Sequence, residues 1–255
     1  MKIVGVIPAH LASVRLERKI LKDFYGIPMI EHVRRRAKLS NLFNDVYVAT
    51  CDLEIEEEIK KYNGKIIRTG NHHKNGTSRV SEAIEKIDCT HVILLQGDEP
   101  LLLPEHVNNL MTAISRNPSG SAWNATGEIN NNSELKRHSF VKCMIGVENK
   151  ILACFRKSPC FSSIKKQKLF IRKILGIIAY NKEFLLKITQ KEETPIESAE
   201  FIEQMRIIEH GYDLTSVPVY PSLPSVNEPN EVKIIYDYFN KSTLQKKLLK
   251  KILEI

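Results

Sequence analysis

Lys2-Ile-Val-Gly-Val-Ile-Pro-Ala-His-Leu-Ala-Ser-Val-Arg-Leu-Glu-Arg-Lys19 is the stretch whose reading decides the fold. Its first half is an apolar, β-branched run (Ile3, Val4, Val6, Ile7), as required of a parallel strand buried on both faces, and Pro8 removes a donor and ends the ladder. Its second half is a polar loop leaving the carboxyl end of that strand, where open α/β sheets bind ligands. Ala9, Ala12 and Ser13 are small enough for backbone N–H groups to approach an anion, and Arg15, Arg18 and Lys19 bring positive charge at short spacing. The stretch reads as a strand feeding a phosphate loop, with a solvated basic loop as the alternative.

Working outward, the run at 91–95 is a second strand of the same kind and delivers Gln96-Gly97-Asp98-Glu99-Pro100 to a sheet edge. Between the two lie a helix over 30–38, a strand over 45–50, a helix over 53–62, a strand over 65–68, a polar loop over 69–78 and a helix over 79–86. Glu54 to Glu58 sit in the first turns of the second helix, where the helix dipole favours negative charge. Alternating strands and helices predict a doubly wound α/β fold. After a helix over 104–116 the texture becomes Asn- and Ser-rich over 117–132. Strand-like runs follow at 140–147, 151–155 and 174–180, with a basic connector at 162–168. The chain is read as one domain, 1–255, with 120–180 as a smaller β-rich lobe set into it. One helix is expected over 194–210, with Thr194 as its cap and Pro195 at the first helical position. A further helix is expected over 232–255, its Leu244, Leu248, Leu249 and Ile252 stripe packed on the sheet or in a dimer contact.

A chain of 255 residues with 42% hydrophobic content can bury a full core. It has no apolar run of 18 residues, and Pro8 interrupts the first apolar stretch too early for a signal peptide, so cytoplasmic localisation without stable membrane association is expected. Five cysteines, widely spaced and without a C-x-x-C, point to neither a disulfide framework nor a zinc site. The net charge of +8 fits a nucleic acid, a membrane surface or an anionic small substrate. With 7% aromatics and no basic–aromatic alternation, nucleic acid is set aside. Lys165, Lys166, Lys168, Arg172 and Lys173 are read as a solvated connector, His72 and His91 as surface or strand-end histidines, and Glu203 with Arg206 as a surface pair.

Asp98, directly after a strand, can hold a hard cation such as Mg²⁺ through one or two oxygens, or it can cap its own turn. A basic loop on one strand end and an acidic loop on the next point to a nucleotide triphosphate with Mg²⁺. Neither G-x-x-x-x-G-K-[ST] nor G-x-G-x-x-G is present, which argues against P-loop and dinucleotide-binding enzymes.

Pro8-Ala9-x-x-x-Ser13-x-Arg15-Leu16-x-x-Lys19, His73-x-x-Gly76-Thr77-x-Arg79 and Gln96-Gly97-Asp98-Glu99-Pro100 resemble, in order and spacing, the motifs of the sugar-acid cytidylyltransferases, the 3-deoxy-manno-octulosonate cytidylyltransferase family. Weaker similarity continues at Val141-Lys142, Phe155, Pro159, Leu175-Gly176-Ile177 with Tyr180, and Glu197 through Arg206. The resemblance implies an α/β nucleotidyltransferase-like three-layer fold with a mixed, mostly parallel sheet and a small β-rich lobe used for homodimerisation. It implies transfer of CMP from CTP to a 2-keto-3-deoxy sugar acid with release of pyrophosphate. Arg15, Lys19 and Asp98 would be catalytic; Pro8, Ala9, Ser13, Arg15, Lys19, His73, Gly76, Thr77 and Arg79 would bind the nucleotide. Gln96, Tyr180, Glu197, Glu200 and Gln204 would face the sugar, Glu200 and Gln204 from one helix face. Asp98 and Asn227 would hold Mg²⁺.

The chain also departs from the pattern. His10 stands where the family usually has Arg, and Glu17 where it has Pro. Ile174-Leu-Gly-Ile-Ile-Ala-Tyr180 replaces the family's His-Leu-Gly-Ile-Tyr-Gly-Tyr, and Glu197-Ser198 its Glu-His pair. Val226-Asn227-Glu228 stands where a metal-binding Asp follows Val, so one unit of negative charge is lost unless Glu228 substitutes. Changes gathered on the sugar and metal side point to an altered acceptor; the alternative is a catalytically weak nucleotide-binding relative serving as a regulatory or assembly subunit.

Overall fold

The computed structural model describes residues 1–12, 16–160 and 162–255. The first half of the chain forms β1 (Ile3–Ala9), β2 (Asp23–Phe24), β3 (Ile27–Pro28), α1 (Met29–Lys38), β4 (Asp45–Thr50), α2 (Leu53–Lys60), β5 (Lys65–Arg68), α3 (Gly76–Ile84), β6 (His91–Leu95) and α4 (Pro104–Arg116). Then come β7 (Ala122–Gly127), α5 (Asn132–Lys136), β8 (Lys142–Ile145), β9 (Ile151–Phe155), α6 (Ile164–Gln167) and β10 (Ile171–Asn181). The chain ends with α7 (Lys182–Ile188), α8 (Pro195–Glu200), α9 (Gln204–Glu209), β11 (Leu214–Pro218), α10 (Glu231–Lys241) and α11 (Thr243–Leu253). Contacts gather into two units, Met1–Asn108 with Leu223–Ile255, and Asn109–Ser222. The second is wider on both sides than the stretch 120–180.

In the first unit β5, β4, β1 and β6 lie side by side, all parallel. The apolar run of β1 is buried throughout, as expected for a strand covered on both faces, but the ladder does not end at Pro8: it continues beside β4 to Ala9. Register sets the site: Ala9 lies opposite Thr50, Thr50 opposite Arg68, and Val6 opposite Leu94. The carboxyl ends of β1, β4 and β5 are therefore level and β6 ends two residues short of Ala9, so the loops after all four strands leave from one edge.

Helix α1 is buried nearly all round although it carries Glu31, His32, Arg34, Arg35 and Arg36. The charges are matched internally: Glu31 accepts from Arg34 Nε at 2.7 Å and from Arg35 Nε at 2.6 Å. His32 Nε2 lies 2.6 Å from the Phe24 carbonyl, and burial pushes its pKa down to about 4, so the ring is neutral at pH 7. The expected helix over 232–255 is two helices, because Ser242 leaves helical geometry and its side chain caps α11.

In the second unit β11 pairs with β7 in parallel, while β7 with β10, β10 with β8, and β8 with β9 are antiparallel. The stretch 117–132 contains β7, all six residues of which are buried. A small core of Ile129, Leu135, Phe155 and Ile171 packs within this unit. The expected helix over 194–210 breaks at Phe201, whose φ of 54° is left-handed. Arg156 explains the break, donating to the carbonyls of Glu200 at 2.8 Å and Phe201 at 3.1 Å, which a continuous helix would have used. Glu200 and Gln204 thus lie on different helices, not on one face. Arg172 and Lys173 belong to β10 rather than to a solvated connector, and Lys173 is buried in a 3.0 Å pair with Glu134. Arg206 pairs with Glu197.

Candidate active site

At the carboxyl strand ends of the first unit lies a cavity of about 360 Å³. Pro8, Ala9, His10, Ala12 and Lys19 line it from the first loop, His73 to Gly76 and Arg79 from the start of α3, and Gln96 to Asp98 from the end of β6. Helix α3 begins at Gly76, three residues earlier than the periodicity predicts, because Asn75 Oδ1 accepts from Ser78 N at 2.9 Å and caps it there. That cap brings the positive end of α3 to the cavity. Gly76 packs closely on β1: a Cβ there would lie 3.0 Å from Pro8 Cγ, so a larger residue would make the proline ring or the helix start give by a few tenths of an ångström.

Several cavity side chains are held by hydrogen bonds or ion pairs. Arg79 is buried and donates from Nη1 to Thr69 Oγ1 at 2.7 Å and to the Gly70 carbonyl at 3.2 Å. Lys19 Nζ lies 2.6 Å from Asp98 Oδ2, with only 14% and 19% of the two side chains exposed. Leu11 N–H donates to Asp52 Oδ2 at 2.9 Å, and Asp52 N–H to Thr50 Oγ1 at 3.1 Å, so the end of β4 anchors the first loop. Burial, with the cations Arg79 and Lys19 nearby, holds the His10 imidazole below its usual pKa against the opposing pull of Asp52. His10 therefore offers a neutral hydrogen-bonding ring where the resemblance expects an arginine charge. Ser13 and Arg15 lie outside the described residues. Thr77 is half-buried in the first turn of α3, and Gln96 is half-buried beside Gly97.

Asp98 also fixes the segment carrying the second expected metal ligand, since its carbonyl accepts from Val226 N–H at 2.9 Å. The N–H groups of Asn227 and Glu228 both donate to Glu231 Oε2, at 2.6 and 3.0 Å. Asn227 Nδ2 is committed to Ser225 Oγ at 2.9 Å, which leaves its carbonyl oxygen as the end suited to a cation. One carboxylate and one amide carbonyl on adjoining segments are hard oxygen donors of the kind Mg²⁺ takes, with water and phosphate completing its shell.

The second unit holds the other candidates. Gln204 is half-buried and donates from Nε2 to Asn124 Oδ1 at 3.1 Å. Asn124, buried in β7, donates in turn to the carbonyls of Ala125 at 2.9 Å and Leu175 at 3.0 Å. Tyr180 is buried at the end of β10, opposite Ala122. Glu197 is occupied on both oxygens by Arg206, at 2.7 and 2.8 Å, and Glu200 is exposed at the end of α8. Two residues absent from the sequence reading matter here. Asn124 sits in the stretch read only as Asn-rich. Glu82 binds the His73 ring and the Gly70 N–H, and its place one helical turn after Arg79 was the available signal.

Parallel strands that deliver a cation-lined cavity, a capped helix N-terminus and an acidic turn to one edge define an α/β enzyme of the nucleotidyltransferase class. The family described as Cytidylyltransferase matches residues 4–215. A 3-deoxy-manno-octulosonate cytidylyltransferase from Fusobacterium nucleatum is 33% identical over 246 residues, covering 96% of this chain and 100% of the relative. Its counterpart from Escherichia coli is 34% identical over 228 residues, covering 89% and 92%. Among solved structures, a CMP:2-keto-3-deoxy-manno-octonic acid synthetase in complex with CTP superposes with a TM-score of 0.88 at 32% identity, covering 94% of this chain and 99% of that one. The chain belongs to the cytidylyltransferase family. Among the described residues no helix is long and apolar enough to cross a membrane.

Proposed function

We propose that the protein transfers CMP from CTP to the anomeric oxygen of a 2-keto-3-deoxy sugar acid, 3-deoxy-manno-octulosonate or a close relative of it, releasing pyrophosphate. The observation that carries this reading is the Lys19–Asp98 pair inside a cavity closed by Gly76 and Arg79, within a chain similar along nearly its whole length to relatives named for that reaction. In the reaction the anomeric oxygen forms a bond to the α-phosphorus, the bond from that phosphorus to the β-bridging oxygen breaks, and the hydroxyl proton leaves. The work of the protein is to align the attacking and leaving oxygens and to offset the charge that moves onto pyrophosphate. Lys19 supplies positive charge to the departing phosphates, and the α3 N-terminus with the small first-loop residues supplies N–H donors. Mg²⁺, held by Asp98 and Asn227, would neutralise phosphate charge and acidify the attacking hydroxyl. The Asn124–Gln204 arrangement supports an acceptor pocket shaped by this chain's own residues.

The test is pyrophosphate release by purified protein with Mg²⁺, each of the four nucleoside triphosphates, and a panel of 2-keto sugar acids. Release with CTP and one acceptor is the expected result. Silence across the panel while CTP still raises the melting temperature would leave a binding subunit as the function.

A further inference from the structure

The polar loop between β5 and α3 carries two adjacent histidines, and the fold sets both beside Glu82 one helix further on. The three side chains offer ligand atoms that all lie within 4.8 Å of one another. We propose that His72, His73 and Glu82 hold a transition-metal dication of the zinc class, at a site separate from the oxygen ligands of Asp98.

The hydrogen bonds around His73 argue for a cation. Ser78 Oγ has one proton, and it is directed to the Asn75 carbonyl at 3.1 Å. His73 Nδ1, 3.2 Å from Ser78 Oγ, must therefore be the donor of that contact. In the neutral ring this leaves a lone pair on Nε2, and Nε2 faces Glu82 Oε2 directly. An ionised carboxylate only accepts, so two lone pairs would meet unless something positive lies between them. With the site empty, a shared proton satisfies His73 and Glu82; a dication would replace that proton, draw the two ligand atoms apart and take His72 as its third ligand. The His72 ring is already packed on the His73 ring, their centroids 4.3 Å apart, and a Cβ on Gly70 would lie 2.5 Å from His72 Nδ1. Glycine at position 70 lets the second imidazole sit where it does without displacement. Glu82 is oriented by the same glycine, whose N–H lies 3.0 and 3.1 Å from its two carboxylate oxygens.

These are the features of a bound-metal shell: two imidazoles and one carboxylate as ligands, the far nitrogen of one imidazole donating to an oriented hydroxyl, and the carboxylate held by a backbone N–H. Two nitrogen donors select a borderline-soft ion over Mg²⁺. Water would complete the coordination. Such an ion would tie the loop at 70–73 to the middle of α3, stiffening the segment that leads to Asn75 and Gly76 in the nucleotide cavity.

The experiment is titration of tag-free, metal-stripped full-length protein with Co²⁺, followed by the visible absorption of tetrahedral cobalt. One equivalent is expected to bind, to be displaced by Zn²⁺, and to be indifferent to millimolar Mg²⁺. His72→Ala, at an exposed position outside the nucleotide cavity, should weaken Co²⁺ binding about tenfold or more while keeping the melting-temperature rise caused by CTP. Glu82→Gln should weaken it as well. Absence of a stoichiometric cobalt spectrum in the unmodified protein, or the same affinity in His72→Ala, would overturn the assignment.

Discussion

Asp98 meets two demands at one carboxylate. In the free protein Lys19 neutralises it at 2.6 Å, and both side chains are more than four-fifths buried. On the proposed reading, a triphosphate entering the cavity would offer Lys19 a stronger partner and would free Asp98 for a cation. Asp98→Asn keeps the shape and removes the charge. Turnover should fall by about 10²–10³, the range for loss of one aimed electrostatic group. Stability should drop by only about 1 kcal/mol, because the Lys19 ammonium left behind can reach water in the cavity. Pyrophosphate release read beside a circular-dichroism melt separates the two effects, and near-normal turnover would remove Asp98 from the chemistry.

Among the elements, β10 shows how a local irregularity is filled by a side-chain amide. Its pairing with β7 shifts between Ile174 and Ile178, so the ladder cannot satisfy every carbonyl there. The Asn124 amide fills the gap, donating to Leu175 and Ile177, and its oxygen holds Gln204. Asn124→Leu should cost about 1–3 kcal/mol through unpaired buried groups. It should also raise the KM for the sugar acid several-fold and leave the KM for CTP unchanged, a split that steady-state kinetics reads and that a general loss of folding would not produce. Strand β7, which carries Asn124, was illegible in the sequence for a physical reason: Ala-Trp-Asn-Ala-Thr-Gly has little apolar alternation, and it is a strand because its neighbours pair with it. The runs of β1, β4 and β6 were legible because a strand buried on both faces needs continuous apolar residues. Helix α1 was legible in extent but not in burial, since its arginines look solvated until Glu31 and Gln245 are seen to receive them. The break at Phe201 depends on Arg156, 45 residues away, and no local pattern reports it. Around the cavity, Pro8, Ala9, Lys19, His73, Gly76, Arg79 and Asp98 were each named from the sequence and the fold brings them together, whereas the His73–Glu82 contact depends on α3 starting at Gly76.

At the level of the whole chain, the first unit is assembled from both ends of the sequence, Met1–Asn108 and Leu223–Ile255, so the C-terminal helices complete a core begun more than two hundred residues earlier. Helix α11 buries Gln245, Leu248 and Ile252, and Gln245 is more than filler. Its Oε1 accepts from Arg36 Nη1 at 2.8 Å, its Nε2 donates to the Leu101 carbonyl at 3.0 Å, and the Ile252 carbonyl accepts from Arg35 Nη1 at 2.5 Å. Arg36 is fully buried, and its Nε and Nη2 already have no partner. Deleting 243–255 would lose the transfer energy of a buried Leu and Ile, about 2 kcal/mol each. It would also leave the two arginines and the Leu101 carbonyl short of partners, at about 1–3 kcal/mol apiece. The sum, about 7–13 kcal/mol, matches the entire stability of an ordinary domain. The truncated chain should therefore be insoluble or lack a cooperative melt, even though the deletion removes no residue of the nucleotide cavity. Gln245→Leu separates packing from polar satisfaction. It keeps the helix and fills the space, so it should fold, melt lower by about 1–3 kcal/mol of stability, and still bind CTP. A truncated chain that melts like the full-length protein would show that the cavity unit is complete without its C-terminal helix.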